Sequence, residues 1–159
     1  MLGLSSSVPV NGIRRRAHLL FLLLMLCLPV AETQAATWVN TATGARNWNA
    51  DGNWTAPATF PNAQDAVALF SVNIGANTTI SLDQVITVGS MTLGDSSGAQ
   101  TYAIQNGTGG PLTFDVSSGN AALAKTAAGS GMDTISATIS LNDPILITVS
   151  SSGGLTISG

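Results

Sequence analysis

Beyond residue 35, few side chains in this chain can carry a charge or a proton through a reaction: Arg46, Lys125 and seven aspartates, Asp51, Asp65, Asp83, Asp95, Asp115, Asp133 and Asp143. The single histidine, glutamate and cysteine, His18, Glu32 and Cys27, all fall in the first 35 residues. A hydrolytic triad therefore lacks its base. Paired carboxylates remain as one route, because two of them suffice for glycoside cleavage. Asp83, Asp95, Asp115, Asp133 and Asp143 are the candidates, and Asp95 and Asp115, 20 residues apart, would stack if the chain coiled with that period. An aspartate before Ser, Gly or Pro is ordinarily a turn residue bonding its own backbone. The expectation is accordingly a non-enzymatic chain with no catalytic residue, and Lys125, in "ALAKTAAG", reads as a solvated loop charge. No phosphate-binding loop, dinucleotide fingerprint or cysteine cluster occurs, so neither a cofactor nor a metal site is expected. The "NADGN" turn lacks the spacing and terminal Glu of a helix-loop-helix calcium site.

The aromatic residues are the other candidates. "RNWNADGNW", residues 46–54, carries two of the three tryptophans around an Asp-Gly step. With Ala50 to Gly52 as the loop, Asn49 would face Asn53 and Trp48 would face Trp54, a hairpin closed by a cross-strand Trp pair. Such a hairpin suits a cap over the end of a stack of strands, with Trp38 adding to the cover. The alternative is a platform of exposed indoles for sugar rings, with the asparagines as hydrogen-bonding partners. Asn53, Asn77 and Asn106 begin N-x-Ser/Thr patterns, which matter only in a eukaryotic secretory pathway.

Residues 1–35 are set aside as an export signal. Arg14 to Arg16 precede a twelve-residue apolar run, Leu19 to Val30, and Thr33 and Ala35 stand at the small-residue positions of a cleavage site. As a helix that run reaches roughly 18 Å, short of the ~30 Å apolar core of a bilayer. A plain basic leader explains the arginines, with twin-arginine export as the alternative. The mature chain, residues 36–159, holds two cations against seven aspartates, a net charge of −5. Nucleic acid is thereby disfavoured as a partner, and contact with a membrane is expected only through the export signal or a region beyond this sequence.

The elements that must position these residues read as strands. Thr, Ser, Gly, Ala and Asn dominate, and apolar residues alternate in short runs: Ile80 and Leu82; Leu112, Phe114 and Val116; Ile135, Ala137, Ile139 and Leu141; Ile145, Ile147 and Val149. Turn clusters such as "GDSSG", "QNGTGG" and "AAGSG" separate them. A Thr followed by a large apolar residue falls at Thr92, Thr113, Thr134 and Thr156, spacings of 21, 21 and 22. One coil of a parallel β-helix needs about that many residues, and equivalent side chains would then stack at the ~4.8 Å strand spacing. The expected fold is all-β: an N-terminal cap over residues 36–65, then the first coils of a β-helix over 66–159. A β-sandwich is the alternative.

Four stretches, "WVNTATGARNWNADGNW", "FPNAQDAVALF", "TTISLDQVITVGSMTLG" and "TVSSSGGLTISG", together resemble the opening of bacterial proteins with autotransporter-associated β-strand repeats, some of which end in a PEP-CTERM sorting signal. The resemblance spans roughly residues 37–159 and implies a right-handed parallel β-helix passenger, exported and displayed at the cell surface or outer membrane. It departs from the pattern in having no outer-membrane barrel, no sorting signal and no glycine-rich repeat, so the expectation is an N-terminal piece of a longer protein. The expected role is structural or adhesin-like, with extracellular polysaccharide or cell-surface matrix as the partner class. A secreted carbohydrate-binding β module is the main rival, and a glycoside-cleaving β-helix using Asp95 and Asp115 is the third.

Overall fold

Alternation of apolar and polar side chains, seen in "TTISL", puts one face of each strand indoors, and that face needs a second layer to cover it. The computed structural model describes residues 35–55, 59–126, 129–150 and 152–159. The expected export signal, residues 1–35, lies outside the described residues save for Ala35. Among the described residues thirteen strands succeed one another: β1 (Ala35–Thr37), β2 (Gly44–Asn47), β3 (Val67–Phe70), β4 (Thr78–Leu82), β5 (Ile86–Val88), β6 (Ser90–Leu93), β7 (Tyr102–Asn106), β8 (Leu112–Phe114), β9 (Ala121–Lys125), β10 (Asp133–Ile135), β11 (Ile139–Leu141), β12 (Ile145–Val149) and β13 (Leu155–Ile157). A 3-10 turn, Asp51–Asn53, interrupts them. Among the described residues no helix is long and apolar enough to cross a membrane.

The strands form three open sheets, ordered β1-β3-β6-β9-β12, β2-β4-β7-β10-β13 and β5-β8-β11. Every pairing between these strands is parallel. From β3 onward the chain visits the first, second and third sheet in turn, so each strand pairs with the one three places along. Parallel pairing throughout is incompatible with the β-sandwich alternative, whose sheets are antiparallel. β1, which begins at Ala35 one residue before the expected 36–65 cap, and β2, inside it, are the first strands of two of these sheets.

Register turns the alternation into columns. Ala36, Ala68, Met91, Leu123 and Ile147 succeed one another across the first sheet. Arg46, Ile80, Ile104, Ile135 and Ile157 do so across the second, and Ile86, Leu112 and Ile139 across the third. The middle members of each column are buried, whereas Leu141, Leu146, Ile147, Val149 and Ile157, on the last strand of each sheet, are exposed. Burial of a Leu, Ile or Phe stabilises by about 1.5–3 kcal/mol each, which makes these columns the main cohesive term of a chain without disulfides.

The 21-residue period does not survive. Val67 pairs with Ser90, Ser90 with Ala122 and Ala122 with Leu146, steps of 23, 32 and 24. Thr134 does lie over Thr156, but Thr92 sits in the first sheet beside Leu69 and Ala124, and Thr113 in the third beside Thr87 and Ser140. Corner length is the reason. Between β5 and β6 the corner is Gly89 alone, where a Cβ would stand 2.6 Å from Asp65 Cα and 3.1 Å from Val116 Cγ1; between β8 and β9 it spans residues 115–120. The run from Ile135 to Leu141 is likewise two strands in different sheets. Ser136 and Ala137 both donate their N–H to Ile104 O, which turns the chain between them.

Candidate functional site

The three tryptophans are buried, none more than 4% exposed. They gather on Phe70: the Trp38, Trp48 and Trp54 rings lie 5.6, 5.2 and 5.2 Å from it, and Phe70 in turn lies 5.4 Å from Tyr102. Each indole N–H donates to a backbone carbonyl, Trp38 to Asn40 O, Trp48 to Pro61 O and Trp54 to Trp48 O. Satisfied donors and covered rings mark these side chains as core. They present no face to a sugar.

The expected hairpin is not the means. Trp54 makes an antiparallel bridge with Trp38, and Asp51–Asn53 coil into the 3-10 turn. Asn53 explains the difference. Instead of facing Asn49, its buried amide donates to Asn47 O at 2.8 Å and accepts from Asn40 Nδ2 at 2.6 Å, tying the segment before the turn to the segment after β1. Trp48 and Trp54 still touch, at 5.0 Å, but as ring packing across a turn. The same burial takes Asn53 out of the set of accessible N-x-Ser/Thr acceptors; Asn77 and Asn106 are exposed.

Deeper in the stack the interior turns polar. Lys125, expected as a loop charge, is the last residue of β9 and is 1% exposed. Its Nζ stands 2.7 Å from Asp133 Oδ2, the first residue of β10, also buried. The other carboxyl oxygen, Asp133 Oδ1, accepts the Tyr102 backbone N–H at 2.8 Å. Asp95, in the corner after β6, is buried as well; its Oδ1 accepts the Ile74 N–H at 3.0 Å and its Oδ2 has no hydrogen-bond partner among the described residues. The Tyr102 hydroxyl donates to Val72 O at 3.2 Å. Burial, then the negative charges of Asp95 and Asp133, push that phenol well above its ordinary range and keep it protonated.

Sequence reasoning missed this cluster, although a signal was present. In "AALAK" the inward alternation Ala121, Leu123 continues in phase to Lys125, and in "DTI" Asp133 is in phase with Ile135. Alternation thus put both charges indoors; composition, which treats Lys and Asp as surface residues, put them out. Leaving one member of such a buried pair alone costs about 3–5 kcal/mol, which argues that the two are held as a unit.

The structure does not bring Asp95 and Asp115 together. Asp95 lies at the corner between the first and second sheets, Asp115 at the corner between the third and first. There Asp115 accepts from Gln64 Nε2 at 2.6 Å and Asn142 Nδ2 at 2.7 Å. The Asn142 bond, then the Gln64 bond, hold its carboxyl below the usual range. Asp65 and Asp143 share this corner, accepting the N–H groups of Ser117 and Val116. Asp83 does the same for Thr108 at the remaining corner. These are turn aspartates lacing successive corners together. Among the described residues no group of three His, Cys, Asp or Glu side chains converges as a metal centre would require.

The chain matches no protein-family model, no curated protein and no solved structure.

Proposed function

We propose that this chain is a non-enzymatic, secreted or surface-displayed structural passenger segment, wound as a right-handed parallel β-helix. The observation that supports it most is the repeated visiting order of three parallel sheets, which stacks coil on coil around an interior of buried side chains. Its side faces, rich in Ser, Thr and Asn, are the surface for contact with extracellular polysaccharide or cell-surface matrix. The resemblance to autotransporter-associated β-strand proteins and the leader at residues 1–35 support the same address, outside the inner membrane. The rival carbohydrate-binding module needs exposed indoles, and burial of all three weighs against it.

Two readouts test the proposal. Residues 1–35 fused to alkaline phosphatase, which is active only after export, should give an active fusion in a bacterial host; an inactive, cytoplasmic fusion removes the assigned address. Tryptophan emission of the full chain should be blue-shifted and insensitive to a soluble quencher. Quenching that polysaccharide then relieves would instead establish the sugar-platform reading.

A further inference from the structure

We propose that Lys125 and Asp133 are a self-cross-linking site, at which the lysine amine and the aspartate carboxyl condense to an intramolecular amide with loss of one water. The contact is already made: Nζ lies 2.7 Å from Oδ2, both side chains fully buried. Besides Asp133, Nζ has no hydrogen-bond partner among the described residues, so no carbonyl or hydroxyl holds the amine back from the carboxyl. Two groups held as a contact ion pair gain the large effective concentration that intramolecular reactions show.

The two carboxyl oxygens of Asp133 have different surroundings, and these assign their fates. Oδ1 accepts the Tyr102 N–H at 2.8 Å, a fixed backbone donor for the negative charge that grows there during attack. Oδ2 faces the amine. A proton passes from Nζ to Oδ2, leaving a free amine beside a neutral acid with no net charge moved. The nitrogen lone pair attacks Cγ, the C–N bond forms, and Oδ1 carries the oxyanion. A second proton leaves Nζ, reaches Oδ2, and the Cγ–Oδ2 bond breaks to release water. Oδ1 becomes the amide oxygen, still bonded to Tyr102. Nothing is oxidised or reduced.

Asp95 is the relay assigned to that second proton. It is buried with one carboxyl oxygen unpartnered among the described residues. Its corner is in contact with Lys125 and with described residues between Lys125 and Asp133: Leu93 pairs with Lys125, Thr126 N–H donates to Leu93 O, Ser130 N–H donates to Gly98 O, and a Cβ on Gly129 would stand 2.6 Å from Asp95 O. The product ties β9 to β10, the first sheet to the second, across the interior of one coil.

Intact-mass measurement of the denatured full chain tests this. The wild type should weigh one water less than its residues sum to, and tandem fragmentation should place the loss in a branched peptide joining Lys125 to Asp133. Asp133→Asn should reach the same product by losing ammonia instead, while Lys125→Met and Asp133→Ala should keep their summed masses. Asp95→Asn should convert at least tenfold more slowly. A folded wild type at its summed mass overturns the proposal. So does a water loss that maps to the Asp51-Gly52 step, and wild-type conversion in Asp95→Asn overturns the mechanism.

Discussion

Phe70 packs against Trp38, Trp48, Trp54 and Tyr102 at once, so it joins the aromatic end of the interior to the polar cluster beneath. Removing its ring leaves a cavity walled by four other rings that cannot collapse together. Phe70→Ala is expected to lose about 3–5 kcal/mol, read as a lowered denaturation midpoint with an unchanged slope. Tyr102 gives a pH prediction with a definite sign. Its folded pKa is raised, so the neutral phenol is favoured by folding, and that contribution is intact below the unfolded value of about 10. As pH rises beyond about 10 the unfolded chain ionises while the native one does not, and stability falls. Because Tyr102 is the single tyrosine, tyrosinate absorbance should appear only with unfolding, and Tyr102→Phe should flatten the alkaline decline. At this scale the sequence was legible wherever a residue type matched its surroundings, as with the buried Ile80, Leu82, Leu112 and Phe114. It misled for Lys125 and Asp133, where alternation pointed both side chains inward but composition pointed them out, because the partner that makes their burial tolerable lies eight residues away on another strand.

Strands were readable and corners were not. "TTISL" and "PLTFDV" show their inward faces directly, but which strand lies over which depends on how many residues each corner consumes. A corner of one residue at Gly89 and of six at 115–120 give unequal steps from the same alternation, so of the Thr spacings of 21, 21 and 22 only the last, Thr134 to Thr156, matched true register. The Trp segment failed in a related way, because side-chain hydrogen bonds of Asn53 override the turn that an Asp-Gly step suggests. The tightest corner yields the element-scale prediction. Gly89→Ala places a methyl against Asp65 backbone and the Val116 side chain, and is expected to cost about 1–3 kcal/mol in chemical denaturation. An equal substitution at Gly52, with open space around it, should cost less than half as much.

For the whole molecule, the dry columns, the buried charge pair and the covered tryptophans all result from which strands are neighbours. Outward positions on adjacent parallel strands stand about 4.8 Å apart, within the 4.4–6.8 Å Cα range that a disulfide accepts. Ala103 and Thr134 are register partners on β7 and β10, whereas Thr113 and Thr134, matched by the 21-residue spacing, lie in different sheets. The decisive measurement is oxidation of two double-cysteine variants of the full chain carrying Cys27→Ser, scored by non-reducing mass analysis. Ala103→Cys with Thr134→Cys should close its disulfide readily and Thr113→Cys with Thr134→Cys should stay reduced; the reverse result would contradict the three-sheet stack.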